Sequence, residues 1–215
     1  MYRRALAIQE NALGENHPDV AKSLNNLAML LEDQGKLAEA EAMSRRALAI
    51  AKTALGEDHP SVASSRGNLG VLLDAKARQL DEAGASDPAA LARIYTEAAD
   101  MQTFKYGAED EDVLRCRQRA AELAGNYDEA ETMCRSALAI KENTLGENHP
   151  EVAATRGKLG VLLDAKAQKL DGAGASDPAA LARIYTEAAD VLAPAYGENE
   201  DVLRCRRRAA ELAGN

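Results

Sequence analysis

Three histidines are the residues best suited to bind a metal ion or to act as a general base. They occupy the same place in a recurring phrase, L-G-E-x-H-P, and are His17, His59 and His149. A whole repeat or more separates them, so we expect them on the order of 10 Å apart, whereas ligands of one zinc ion bind at about 2.1 Å. Each is therefore predicted to be a turn residue before a proline in the first turn of a helix, and no metal site is predicted.

The cysteines are Cys116, Cys134 and Cys205; they form no C-x-x-C pair, and an odd number is not typical of a disulfide framework. Two interpretations stay open. The thiols are small buried side chains, or a disulfide joins Cys116 to Cys134, which are about equally far from a predicted turn at Gly125 and Asn126. This cysteine usage favours a reducing compartment and a cytoplasmic location.

Motifs of catalysis and of nucleotide binding are absent from the sequence. It contains no G-x-x-x-x-G-K-S/T, G-x-S-x-G or H-E-x-x-H. No nucleophile is paired with a base in any recognisable pattern. We therefore predict that the chain is not an enzyme and has no catalytic residue and no cofactor.

Composition narrows the class of partner. The net charge of -9 argues against binding of nucleic acid, whose phosphates attract basic surfaces. No apolar run approaches the roughly 20 residues of a membrane span, so no membrane partner is expected. With 46% apolar residues, one Phe and no Trp, the chain should fold around a core of small side chains that lets helices pack closely.

The elements that carry these residues are copies of one another. The segment Ala83 to Asp100 recurs unchanged from Ala173 to Asp190. The repeats indicate one array over residues 1–215, with an internal duplication of about 37–126 and 127–215.

Apolar spacing within a repeat is helical. Val20, Leu24, Leu27 and Leu31 form one stripe, and a second stripe follows the turn at Gly35. Helix starts are predicted where a proline follows a capping residue, at Pro18, Pro60, Pro88, Pro150 and Pro178. Counting these signals predicts about ten helices and no strand.

The segment Leu24 to Ile50, LNNLAMLLEDQGKLAEAEAMSRRALAI, resembles a tetratricopeptide repeat, and the L-G-E-x-H-P phrase resembles the longer variety found in kinesin light chains. The resemblance covers nearly the whole chain. It implies an all-α, right-handed solenoid of antiparallel helix pairs that acts as a scaffold for a protein or peptide ligand. It places Leu27, Ala28, Leu31, Ala40 and Ala47 at packing positions.

The chain departs from the family pattern in alternate repeats. About nine extra residues follow Leu73, around AKARQLDEAGA, and the same excess follows Leu163. Either the first helix of these pairs continues for about two more turns, or a longer loop protrudes.

The resemblance also assigns the groove, which the first helix of each pair lines. Its positions, carried over residue by residue, are Lys22, Asn25, Asn26, Met29, Asn68, Val71, Arg115, Arg119, Lys158, Val161, Arg204 and Arg208. Basic and amide groups dominate this set, which favours an extended, partly acidic peptide as the ligand. The alternative is a solvated helix face whose basic groups are neutralised by nearby carboxylates, namely Glu32, Asp33, Asp74, Glu122 and Asp164.

Two further expectations concern the context of the array. It could instead be a regulatory or oligomerisation arm of a larger multidomain signalling protein. Met1 aligns with the interior of a second helix, and Asn215 aligns with Asn126, just before another. We therefore expect the natural chain to continue past residue 215, or the isolated chain to self-associate end to end through the uncovered apolar residues Val202, Leu203, Ala209 and Leu212.

Overall fold

The computed structural model describes residues 2–84, 87–174 and 177–214. Within these ranges the chain forms ten α-helices and no strand, which confirms the predicted all-α class. The chain divides into two compact units, residues 1–123 (unit 1) and residues 124–215 (unit 2). Met1 and Asn215, by which the sequence places both ends within a repeat, lie outside the described residues.

The described residues of unit 1 form six helices, each of which packs against the next along the chain. They are α1 (Tyr2–Leu13), α2 (Pro18–Asp33), α3 (Leu37–Leu55), α4 (Pro60–Glu82), α5 (Pro88–Tyr106) and α6 (Glu111–Leu123). Short connections make neighbouring helices antiparallel pairs. We call α2, α4 and α6 first helices, and α1, α3 and α5 second helices.

In the part of unit 2 that the structure describes, the same plan is repeated with four helices that also pack in chain order. They are α7 (Tyr127–Leu145), α8 (Pro150–Gly172), α9 (Pro178–Tyr196) and α10 (Glu200–Leu212). Here α8 and α10 are first helices, and α7 and α9 are second helices.

The predicted proline positions are the first residues of five helices, and a side chain caps each one. His17, His59 and His149 accept the backbone N–H two residues further on through Nδ1, at 3.1 to 3.2 Å. Asp87 and Asp177 do the same with a carboxylate oxygen. These bonds satisfy first-turn N–H groups that have no partner inside the helix.

The core of unit 1 is built from the predicted stripe. Val20, Leu24, Leu27 and Leu31 are buried, as are the small packing residues Ala28, Ala40 and Ala47. Glycines let the paired helices approach: a Cβ on Gly70 of α4 would lie 2.7 Å from Cγ of Gln102 on α5. In unit 2, a Cβ on Gly160 would lie 2.5 Å from Cγ of Leu192.

The extra residues of alternate repeats lengthen the first helix. Both α4 and α8 have 23 residues, whereas α2 has 16, a difference of about two turns. Of the two alternatives that the sequence leaves open, the helical continuation is therefore correct.

In the ranges that the structure describes, no helix is both long and apolar enough to cross a membrane.

Candidate peptide-binding face

The predicted groove residues of α2 lie on one side of that helix, and they differ in the ion pairs and hydrogen bonds that they make. Lys22 is exposed and paired with Asp19 at 2.8 Å. Asn25 donates through Nδ2 to Ser65 Oγ at 2.9 Å, which joins α2 to α4. Asn26 and Met29 are exposed.

Three large apolar residues occupy one register position of the first helices and face solvent. Met29, Val71 and Val161 each follow a buried pair, leucine with alanine or glycine, and their exposed fractions are 55%, 38% and 54%. Three residues earlier, and therefore on the same side of each helix, stand Asn26, Asn68 and Lys158. Among the described residues, these three polar side chains make no hydrogen bond or ion pair.

The two predicted arginines of α6 bind the extended helix α4. Arg115 donates to both oxygens of Asp74, at 3.0 and 2.7 Å, and to Asp112 at 3.0 Å. Arg119 donates to both oxygens of Asp81, at 2.8 and 2.7 Å, and to Glu122 at 3.0 Å. Each guanidinium therefore contacts two carboxylates.

Unit 2 repeats this arrangement between α10 and α8. Arg204 donates to Asp164 and is paired with Asp201 at 2.8 Å. Arg208 donates to both oxygens of Asp171, at 2.7 and 2.8 Å, and to Glu211 at 2.9 Å. Neutralisation by Asp74, Glu122 and Asp164, the alternative considered from the sequence, thus accounts for part of these contacts.

Buried thiols sit beside the inner aspartates. Cys116 Sγ donates to Asp74 at 3.4 Å, and Cys205 Sγ donates to Asp164 at 3.2 Å. Burial raises the pKa of both thiols to about 12, so neither is a reactive nucleophile. Cys116 carries a free thiol, which excludes the disulfide alternative.

The outer aspartates are held by a tyrosine as well as by an arginine. Tyr95 donates its hydroxyl to Asp81 at 3.4 Å, and Tyr185 donates to Asp171 at 3.5 Å. Burial raises the pKa of Tyr95 to about 12, and the hydrogen bond from Arg119 lowers the pKa of Asp81.

Sequence reasoning missed Asp81 and Asp171. The spacing of the residues was the usable signal. Asp74 and Asp81 are seven residues apart and lie on one side of α4, and Arg115 and Arg119 are four residues apart and lie on one side of α6, so the two sets can face each other.

In the described ranges, no group of three or more His, Cys, Asp or Glu side chains could hold a metal ion.

Part of each unit matches sequence models of a known family. Two family models, both described as tetratricopeptide repeat, match residues 1–19, 20–61 and 119–173, together more than half of the chain. No protein of curated function matches the sequence significantly.

Solved structures with a similar trace include TPR-like repeats assigned to a kinesin light chain of Podosopora anserina. This structure is 19% identical, with a TM-score of 0.47, over 92% of this chain and 97% of that one. A point variant of the same Podosopora protein is 20% identical, with a TM-score of 0.45, over 92% and 88%. BtubC (BKLC) from P. vanneervenii is 21% identical, with a TM-score of 0.44, over 99% and 87%.

The family models carry the assignment, since their matches cover α1 to α3 of unit 1 and α7 and α8 of unit 2. Tetratricopeptide repeats are generally non-catalytic scaffolds for protein interaction. The helix pairs, their packing through small residues and the matches to the family models lead to one conclusion: the chain belongs to the tetratricopeptide repeat family.

Proposed function

We propose that the chain is a scaffold in which the first helices of each unit bind an extended peptide. The observation that carries this proposal is the repeated exposure of Met29, Val71 and Val161 at one register position. Folding leaves these apolar side chains in water, so a ligand side chain that covers them gains apolar burial.

Neighbouring polar groups complete the proposed contact. Asn26 and Asn68 can donate to a peptide carbonyl and accept from a peptide N–H, and Lys158 can donate. Apolar contacts for side chains combined with hydrogen bonds to the main chain are how extended peptides are recognised. Binding of this kind needs no catalytic group, and the cysteine usage favours a reducing compartment such as the cytoplasm for the encounter.

The acidic preference predicted from the sequence depends on the four arginines. Each of them already contacts two carboxylates, so a ligand carboxylate must compete for the guanidinium. Arg119 and Arg208 keep 39% of their side chains exposed, which supports access by a ligand.

Peptide selection from a random library displayed on phage tests this function. Selected peptides would be measured by fluorescence anisotropy against the wild type, Val71→Asp and Val161→Asp. We expect roughly tenfold weaker binding to each variant, because a charge replaces an apolar contact. Ala49→Asp is the matched control, since Ala49 is exposed on a second helix.

Selection of no peptide, or equal binding by all four proteins, would refute the proposed face. Enrichment of Asp and Glu in the selected peptides would support the acidic preference. Enrichment of Lys and Arg would contradict it while leaving the face itself intact.

A further inference from the structure

The two-turn extensions of α4 and α8 place a carboxylate where a ligand carboxylate would bind. We propose that Asp81 and Asp171 are internal competitors that occupy the guanidiniums of Arg119 and Arg208 and thereby limit the affinity of the face for acidic peptides. This inference rests on the proposed peptide-binding function and names the residues that set its charge specificity.

The geometry of the outer pairs is that of carboxylate recognition. Nε and Nη2 of Arg119 donate to the two oxygens of Asp81, and the same two nitrogens of Arg208 donate to Asp171. A planar guanidinium binds any carboxylate in this bidentate way, including the side chain of an Asp or Glu in a peptide. While the internal aspartate is bound, that edge of the guanidinium is unavailable to a ligand.

Burial separates these pairs from the inner ones. The side chains of Asp74 and Asp164 are only 5% and 10% exposed, and they also accept a thiol hydrogen bond. Asp81 and Asp171 are 23% and 25% exposed. A buried aspartate is costly to separate from its arginine because its charge is left without a partner, whereas a pair whose aspartate is about a quarter exposed contributes less and can exchange with a competitor.

The same arrangement occurs in both copies of the duplicated segment, although the residues that follow the aspartates differ. Glu82 comes after Asp81, and Gly172 comes after Asp171. Glu82 is exposed and makes no ion pair or hydrogen bond among the described residues. Glu82→Gln therefore removes the same charge as Asp81→Asn, one residue away, without releasing an arginine.

The test measures binding of two synthetic ten-residue peptides to the intact chain by fluorescence anisotropy. One peptide alternates leucine with glutamate, and the other alternates leucine with glutamine. The proteins are the wild type, Asp81→Asn, Asp171→Asn and Glu82→Gln, each checked for unchanged helicity by circular dichroism. The second aspartate variant keeps the test valid if the first does not fold.

We expect each aspartate variant to bind the glutamate peptide roughly two- to fivefold more tightly than the wild type, the range set by loss of one half-exposed ion pair. Glu82→Gln should change this affinity by less, and no variant should alter binding of the glutamine peptide. Equal gains for Asp81→Asn and Glu82→Gln would overturn the inference, because net charge alone would then explain them. Failure of the glutamate peptide to bind any of the proteins would overturn it too, whereas only the valine variants and the selection test the face itself.

Discussion

The ion pair between Asp81 and Arg119 is one contribution to the acid stability of the chain. The hydrogen bond from Arg119 lowers the pKa of this carboxyl below its usual 3.8. In the unfolded chain the bond is absent, so the unfolded aspartate takes up its proton at higher pH. The pair therefore stabilises the fold fully above about pH 4, and this contribution is lost as pH falls through the lower pKa of the folded state.

Asp81→Asn should reduce the acid sensitivity of folding. We expect a slightly lower Tm than the wild type near neutral pH, because a half-exposed ion pair is lost. The two melting temperatures should converge as pH falls below about 4. Thermal melts followed by circular dichroism over this range, with Glu82→Gln as the control, provide the measurement. A difference in Tm that stays constant down to about pH 2 would contradict the assignment.

His59 acts as a helix cap, a role that its place in the sequence only partly indicates. The phrase before Pro60 predicts a turn, but the orientation of the ring is not written in it. In the structure, Nδ1 accepts the N–H of Ser61 at 3.1 Å. This bond satisfies a first-turn N–H group of α4, so the imidazole stabilises the start of that helix.

We expect His59→Ala to lower the free energy of unfolding by about 1 kcal/mol, as loss of a helix cap typically does. His59→Asn should lower it by less, because asparagine is itself a good cap. Urea denaturation of the two variants measures the difference. Equal losses would show that the imidazole contributes nothing as an acceptor.

At the scale of helices, local signals in the sequence determine the boundaries. Proline after a capping residue begins α4 at Pro60, and Gly56, with a φ of 85°, ends α3 where a side chain would be strained. Both signals act within a few residues. For this reason the number of helices in the described ranges and the starts of five of them could be predicted from the sequence.

The length of α4 could not be predicted, because it depends on partners distant along the chain. Residues 74–82 favour a helix, but a protruding loop was equally compatible with their composition. In the structure Asp74 and Asp81 meet Arg115 and Arg119 about forty residues further on. The sequence places Asp74 among the nearby carboxylates, but contacts at this separation leave Asp81, the partner of Arg119, unidentified.

The close packing of α3 against its neighbours can be tested by substitution of a buried alanine. Ala47 of α3 is fully buried, whereas Ala49, two residues on, is exposed. Ala47→Leu should cost about 1 to 3 kcal/mol of unfolding free energy, since extra methylenes must be forced into a packed crossing. Ala49→Leu should cost little. Urea denaturation compares them, and similar losses would refute the close packing of α3.

At the scale of the whole molecule, the two units contain copies that differ in the polarity of one buried residue. Gln102 of α5 is 1% exposed, and neither of its side-chain polar atoms has a partner among the described residues. Its counterpart in α9 is Leu192, also buried. Gly70 and Gly160 receive the two side chains in the same way, so leucine fits the site that glutamine occupies. Unit 1 thus contains an unsatisfied amide where unit 2 contains a hydrocarbon.

Exchanging these residues should move stability in opposite directions. We expect Gln102→Leu to raise the free energy of unfolding by about 1 to 3 kcal/mol, because it removes a buried polar group without a partner, and Leu192→Gln to lower it by a similar amount. Stability in repeat arrays is close to a sum of local contributions. Hydrogen exchange in Gln102→Leu should therefore slow in α4 and α5 and change little in α8 and α9. A loss of stability on Gln102→Leu would mean that the amide has a partner and that the two copies differ for another reason. Slower exchange in α8 and α9 alone would mean that the effect of the substitution is not local.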